Sequence, residues 1–210
     1  MYSLYYSPGA CSLAVHTLLN EIGAEFKLEK ASIKDGETRT AEFLKLNPRG
    51  QVPVLVEDGK AMREGGAIII YLCEKHNSSL LPKSGWERAQ ALQWLLFCNS
   101  TLHPAYSRAF WLMGLTNTGK ETLLKAAADS ISRIWQDVET QLQNQPYLCG
   151  KECTAADILL TVIANWSDHV PMPISIGPKT RELFARVIAR PAFQKAMATE
   201  HVTYKAAMAA

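Results

Sequence analysis

The chain has 210 residues, 48% of them hydrophobic, and 22 basic against 20 acidic side chains leave a net charge of +2. At roughly 100–200 residues per domain this is one large domain or two small ones, with enough apolar material for a sizeable core. The even charge balance gives no support to a nucleic-acid partner. No apolar run approaches the ~18 residues of a membrane helix, and the N-terminus lacks the basic and long apolar segments of a secretory signal.

The predicted elements begin with a short aromatic strand, Tyr2 to Tyr6, broken by Ser7-Pro8-Gly9. A helix starts near Ala10, because Val15, Leu18, Leu19 and Ile22 fall at i, i+3, i+4 and i+7, and Gly23 stands where a helix-ending glycine belongs. Phe26 to Lys30 alternates as a second strand, and Ala41 to Leu46 reads as a short helix ended by Asn47-Pro48-Arg49-Gly50. Val54 to Val56 and Lys60 to Met62 flank the hairpin signal Asp58-Gly59, and a helix from Glu64 to about Lys75 closes the unit. The order βαβαββα fits a small mixed sheet with helices on both faces, an α/β unit over residues 1–76.

Residues 77–85 carry Asn, Ser, Pro and Gly without a period and read as a linker. Residues 86–210 read as all helix. Leu92, Leu95, Leu96, Asn99, Leu102, His103 and Tyr106 share one broad face, and Leu124, Ala127, Ile131, Ile134, Val138 and Leu142 mark a second helix. Thr154-Ala155-Ala156-Asp157 has the spacing of a capping box opening a third. Arg181 to Ala189 and Pro191 to Met197 are two shorter helices, the proline suiting a first helical position.

Five cysteines, Cys11, Cys73, Cys98, Cys149 and Cys153, are an odd number in a chain that needs no staples. That predicts free thiols and a reducing, cytoplasmic setting. Cys149 and Cys153 are spaced C-x3-C with no second pair nearby, so they read as ordinary structural cysteines, and no metal is expected.

Four places could carry chemistry. Cys11 follows a strand and a turn and lies in the first turn of a helix, where unpaired amides favour thiolate; equally, a small buried residue can start a helix. The segment Cys11-Ser12-Leu13-Ala14 is not C-x-x-C, so no local dithiol cycle exists, and a single thiol suits a mixed disulfide or a bond to a small thiol. Val52-Pro53 is either a cis bond that presents the Val52 backbone to a neighbour or a trans turn. Glu64 and Gly65 open a helix whose amides could take a carboxylate while Glu64 takes an amine, which would suit a ligand with an amino-acid end; the alternative is an acidic first turn and nothing more. His103 lies on a largely apolar face beside Pro104, whose missing N–H leaves Ser100 without its helical partner and should bend the helix.

Together these residues resemble a family. Tyr5-Tyr6-Ser7-Pro8-Gly9-Ala10-Cys11-Ser12-Leu13-Ala14, then Leu46-Asn47-Pro48-Arg49-Gly50-Gln51-Val52-Pro53-Val54-Leu55, then Glu64-Gly65-Gly66-Ala67-Ile68 look like successive blocks of bacterial beta-class glutathione transferases, and Thr154-x-x-Asp157 and Arg190-Pro191 extend the match over nearly the whole chain. The resemblance implies a thioredoxin-like N-terminal domain followed by an all-helical one, glutathione as co-substrate, no metal, and a homodimer. It implies catalytic roles for Cys11 at the glutathione sulfur and for His103 at the thiol. It also implies glutathione contacts at Lys34, Gln51, Val52, Pro53, Glu64, Gly65, Asn99 and Ser100. Gly65 stands where many relatives have Ser, and Leu96 where close relatives often have Asn. An apolar electrophile would lie on Tyr106, Phe110, Trp111, Met113, Trp166 and His169, any of which could equally be core.

Three functions follow: conjugation of glutathione to apolar electrophiles, glutathione-dependent thiol redox chemistry through a Cys11 mixed disulfide, and a non-catalytic binding protein on the same scaffold.

Overall fold

A computed structural model describes residues 1–116 and 118–206. These form two compact units: 1–85 together with 189–203, and 86–188 together with the described residues from Tyr204 on.

The first unit is built on the sheet the sequence predicts: β1 (Tyr2–Tyr6), β2 (Phe26–Lys30), β3 (Val54–Glu57) and β4 (Lys60–Met62), in the order β2-β1-β3-β4. Strand β1 pairs parallel with β2 and antiparallel with β3, so the chain must cross over once, through helix α1 (Ser12–Glu21). Strands β3 and β4 form the hairpin around Asp58-Gly59. Helix α2 (Ala41–Leu46) opens on Thr40, whose hydroxyl accepts from the Phe43 amide, and helix α3 (Gly65–Lys75) closes the βαβαββα order.

Every residue of α1 from Ser12 to Leu19 is buried, which one amphipathic face against a sheet cannot explain. Helix α9 (Pro191–Glu200) accounts for the second covered face. Arg190 forks both its Nε and Nη2 onto Glu21 at 2.6 and 2.9 Å, and the Asn20 amide donates to the Ala192 carbonyl at 3.4 Å. Near the other end of α9, Glu200 meets His16 Nδ1 at 2.8 Å and accepts from the Gly9 amide at 3.1 Å. The segment 189–203 therefore belongs with residues 1–85, not with the helical part in which its periodicity places it. Residues 77–85 also fall within this unit rather than between two.

The second unit contains α4 (Gly85–Phe97), α5 (His103–Met113), α6 (Lys120–Gln141), α7 (Ala155–Ala164) and α8 (Pro178–Ile188). Its core stripe on α6 is Leu124, Ala128, Ile131, Trp135 and Val138, all buried. The sequence reading placed Ala127 and Ile134 on this stripe. Both are half-buried, because the bulk of Trp135 takes the face instead. Helix α7 is buried along all ten residues. It opens with the expected capping box: Asp157 accepts from the Thr154 amide at 2.7 Å and hydroxyl at 2.8 Å, and its other oxygen takes the Leu148 amide at 2.8 Å. Helix α8 is capped from a distance. The buried Glu139 carboxylate accepts from the amides of Lys179 and Thr180 at 3.0 and 2.9 Å and from the Thr180 hydroxyl at 2.7 Å. Gly177 must be glycine because a Cβ there would run into that carboxylate.

A π-helical turn, Cys98–Leu102, separates α4 from α5 just before Pro104. No helix among the described residues is long and apolar enough to cross a membrane.

Candidate functional site

The first unit gathers its candidate residues from loops at the ends of elements. Cys11 stands at the start of α1, and its thiol donates to the Val52 carbonyl at 3.4 Å. The Val52–Pro53 bond is cis. Pro53 in turn touches α3: a Cβ added to Gly65 would lie 3.6 Å from the Pro53 ring, so Gly65 lets the helix start approach the proline closely. Glu64, immediately before, holds a positive φ of 71° and caps α3 by position rather than by a side-chain bond. A non-glycine residue in that region is strained and persists only where its surroundings demand it. Cys11, Val52, Pro53, Gly65 and Glu64 thus form one continuous set.

The loop that carries Val52 is braced from both sides. Asn47 is buried; its amide nitrogen donates to the Gln51 carbonyl at 2.7 Å and its oxygen accepts from the Arg49 amide at 3.2 Å. Gln51 is exposed and contributes its backbone to this brace. Arg49, which the sequence reading passes over, donates from Nη2 to the Glu64 carboxylate. Only its place in the Asn47-Pro48-x-Gly50 block could have drawn attention to it, since a basic loop residue is ordinary. Lys34 is exposed in the turn after β2.

The expectation for Cys11 needs correcting. The helix start does supply backbone hydrogen bonds from Cys11 and Ser12 that lower its pKa, but burial of the thiol outweighs them and pushes it up to about 12, with the Glu64 carboxylate adding to the rise. Desolvation thus works against the thiolate that the helix start favours, and the half-buried thiol donates its hydrogen bond to Val52.

In the second unit, Asn99 and Ser100 sit on the π-helical turn, where the Ser100 hydroxyl donates to the Leu96 carbonyl at 2.6 Å. Leu96 itself is exposed, off the broad face where the sequence places it. His103 begins α5, its ring edge-on to Trp166 with centroids 4.8 Å apart. Tyr106 and Phe110 join the same aromatic cluster, at 6.0 and 6.1 Å from Trp166. Tyr106 is core rather than a pocket wall. It is 0% exposed, and its hydroxyl accepts from Trp135 Nε1 at 2.8 Å and shares a hydrogen bond with Ser167 at 2.5 Å. A buried tyrosine needs such partners, and these bind it to the interior. Trp166 is buried with it, whereas Trp111 is 69% exposed, His169 is exposed and Met113 is half-buried. All five cysteines are free.

Two family models match, described as the glutathione S-transferase N-terminal domain over residues 2–74 and C-terminal domain over residues 92–191. The chain belongs to the glutathione S-transferase family. It is 31% identical over 205 residues to glutathione S-transferase GST-4.5 of Xanthomonas campestris pv. campestris, covering 94% of this chain and 98% of the relative. Among solved structures it resembles a bacterial beta class glutathione S-transferase of Sphingomonas chungbukensis, with TM-score 0.83 and 31% identity over 96% of this chain and 100% of that one. A sphingomonad glutathione S-transferase complexed with glutathione superposes equally well, with TM-score 0.83, 30% identity and the same shares covered. The fold is therefore a thioredoxin-like N-terminal domain and a helical domain of the bacterial beta-like kind, and the protein is a glutathione S-transferase with glutathione as its co-substrate.

Proposed function

We propose that this glutathione S-transferase conjugates reduced glutathione to apolar electrophiles, with the neutral Cys11 thiol as a hydrogen-bond donor to the glutathione sulfur. The observation that carries this reading is the position of the half-buried Cys11 thiol at the start of α1, donating to the Val52 carbonyl at 3.4 Å beside the cis-proline, with desolvation raising its pKa. A donor of this kind favours the sulfur anion that must form on glutathione before it attacks, and it is preorganised where the charge develops. The same high pKa argues against a Cys11 mixed disulfide as the main route, since thiolate is the form that exchanges.

The remaining contacts are proposed from the same geometry. The Val52 backbone beside the cis-proline pairs with the cysteinyl part of glutathione, and Glu64 and the Gly65 amide take the γ-glutamyl end. Gln51 and Lys34 lie nearer the other end. In the helical unit we assign His103, Asn99 and Ser100 supporting roles at glutathione, and the apolar electrophile to Phe110, Trp111 and Met113 along α5. We also propose a homodimer, as the family resemblance implies, and, from the free thiols, a cytoplasmic setting.

The test is conjugation of glutathione to a chloronitrobenzene. Wild type should turn over, and Cys11→Ala should lose about 10- to 100-fold in kcat/KM, the worth of a hydrogen bond to a charged group. Glu64→Ala should raise the glutathione Kd about tenfold or more, read by titration calorimetry, through loss of a charge-assisted contact. An inactive wild type that instead takes up one glutathione at Cys11 from oxidised glutathione, seen by mass spectrometry, would replace conjugation by redox chemistry.

A further inference from the structure

We infer that Arg49 is a specificity-determining residue for glutathione, binding the α-carboxylate of the γ-glutamyl end while Glu64 binds its ammonium. The inference rests on the proposed placement of that end at α3. The guanidinium of Arg49 and the carboxylate of Glu64 already face each other as an ion pair, and both side chains are more than half exposed, at 58% and 54%. Exposed pairs of this kind contribute little and open readily. An amino-acid end carries an ammonium and a carboxylate on the same carbon, so it matches this pair charge for charge. The ammonium takes Glu64, and the carboxylate, which would otherwise sit beside a like charge, takes the cation released from it.

The neighbouring cations are committed elsewhere. Arg63 Nε donates to the Leu46 carbonyl at 2.7 Å, and Arg39 packs over Gly50, its Nη1 2.8 Å from where a Cβ would lie. Arg49 is aimed at Glu64, and its backbone is held by the Asn47 oxygen. The amides at the start of α3 add partial positive charge on the same side, but a guanidinium offers the full charge and a planar fork that fits a carboxylate. The ion pair therefore brings the two binding charges side by side, and because it opens readily, binding exchanges one pair for two.

The test measures binding of three peptides by titration calorimetry, with weak ligands followed by displacement of glutathione. These are glutathione, γ-aminobutyryl-cysteinylglycine (amine kept, α-carboxylate lost) and glutaryl-cysteinylglycine (α-carboxylate kept, amine lost). Arg49→Gln should weaken glutathione and the glutaryl peptide about tenfold, and change the aminobutyryl peptide less than about twofold, because only ligands with the α-carboxylate lose a charge-assisted contact. Arg49→Lys should fall between wild type and Arg49→Gln, keeping charge without the fork. Glutathione binding that is unchanged or tighter in Arg49→Gln overturns the inference, since Arg49 would then only compete with the ligand amine. An equal loss on all three peptides overturns it as well, pointing to a disturbed loop. Glu64→Gln separates the two levels: unchanged affinity of that variant for glutathione would remove the placement of the γ-glutamyl end itself, and the Arg49 assignment with it.

Discussion

The two units use their conspicuous residues in opposite ways. In the first, Cys11, Val52, Pro53, Glu64 and Gly65 lie at strand ends and helix starts, from the buried Val52 and Pro53 through the half-buried Cys11 and Gly65 to the exposed Glu64. In the second, the conspicuous aromatics are helix residues, and most are absorbed by packing: Trp135, Tyr106 and Phe184 are 0% exposed. A polar or aromatic residue in the middle of a long buried helix is most economically explained by the interior it fills. An exposed charge on a short loop, such as Glu64, has no interior to fill, and its chemistry is what remains to explain it.

The largest test of that contrast lies within the helical unit. Trp135→Ala should cost about 3–5 kcal/mol in urea unfolding, through the cavity it leaves and the lost hydrogen bond to the Tyr106 hydroxyl, while the exposed Trp111→Ala should stay within about 0.5 kcal/mol. Similar losses for the two would show that burial does not separate them.

Next comes the seam between α1 and α9. Glu200→Ala removes the carboxylate that meets the buried His16 ring and accepts from the Gly9 amide. It should cost about 2–4 kcal/mol and loosen the turn that leads into Cys11. Glu200→Gln, which can still accept from Gly9, should recover part of this. Equal stability of wild type and Glu200→Ala would mean that α9 is held by its apolar residues Phe193 and Ala196 and by the Arg190 and Ala192 contacts at its start, without help from Glu200.

The smallest effect at neutral pH is the titration of Cys11. With its thiol raised from 9.0 to about 12, the folded protein keeps a proton that the unfolded chain releases. The contribution of this group to stability is therefore full below pH 9 and is lost as pH rises toward 12. At pH 8 the ligand-free thiol should react with iodoacetamide about a thousandfold more slowly than an unperturbed one, in step with its thiolate fraction. Peptide mapping of Cys11 reads this directly, and reaction at the ordinary rate would restore the thiolate that the helix start alone suggests.

Much of the site was legible because its signals are local. The Ser7-Pro8-Gly9 turn and the Thr154/Asp157 pair act within a few residues of themselves, so spacing announces them, whereas Val52-Pro53 and Glu64 kept two readings each until the family blocks singled them out. The helix period of α1 was equally plain. On α6 the period was right, but Ala127 and Ile134 compete with Ala128 and Trp135 for adjacent faces, and only the space available decides between them.

The sequence by itself determined the order of elements, the break near residue 85, the helix starts and the family motifs, since hydrogen-bonding and torsional preferences of short segments set all of these. Tertiary structure decided that residues 189–203 return to the first unit, that Tyr106 belongs to the core, that Arg49 faces Glu64, and that desolvation works against a Cys11 thiolate. Each of those depends on desolvation or on a charge brought from a distant part of the chain, and a group's environment is not contained in its own neighbours along the sequence.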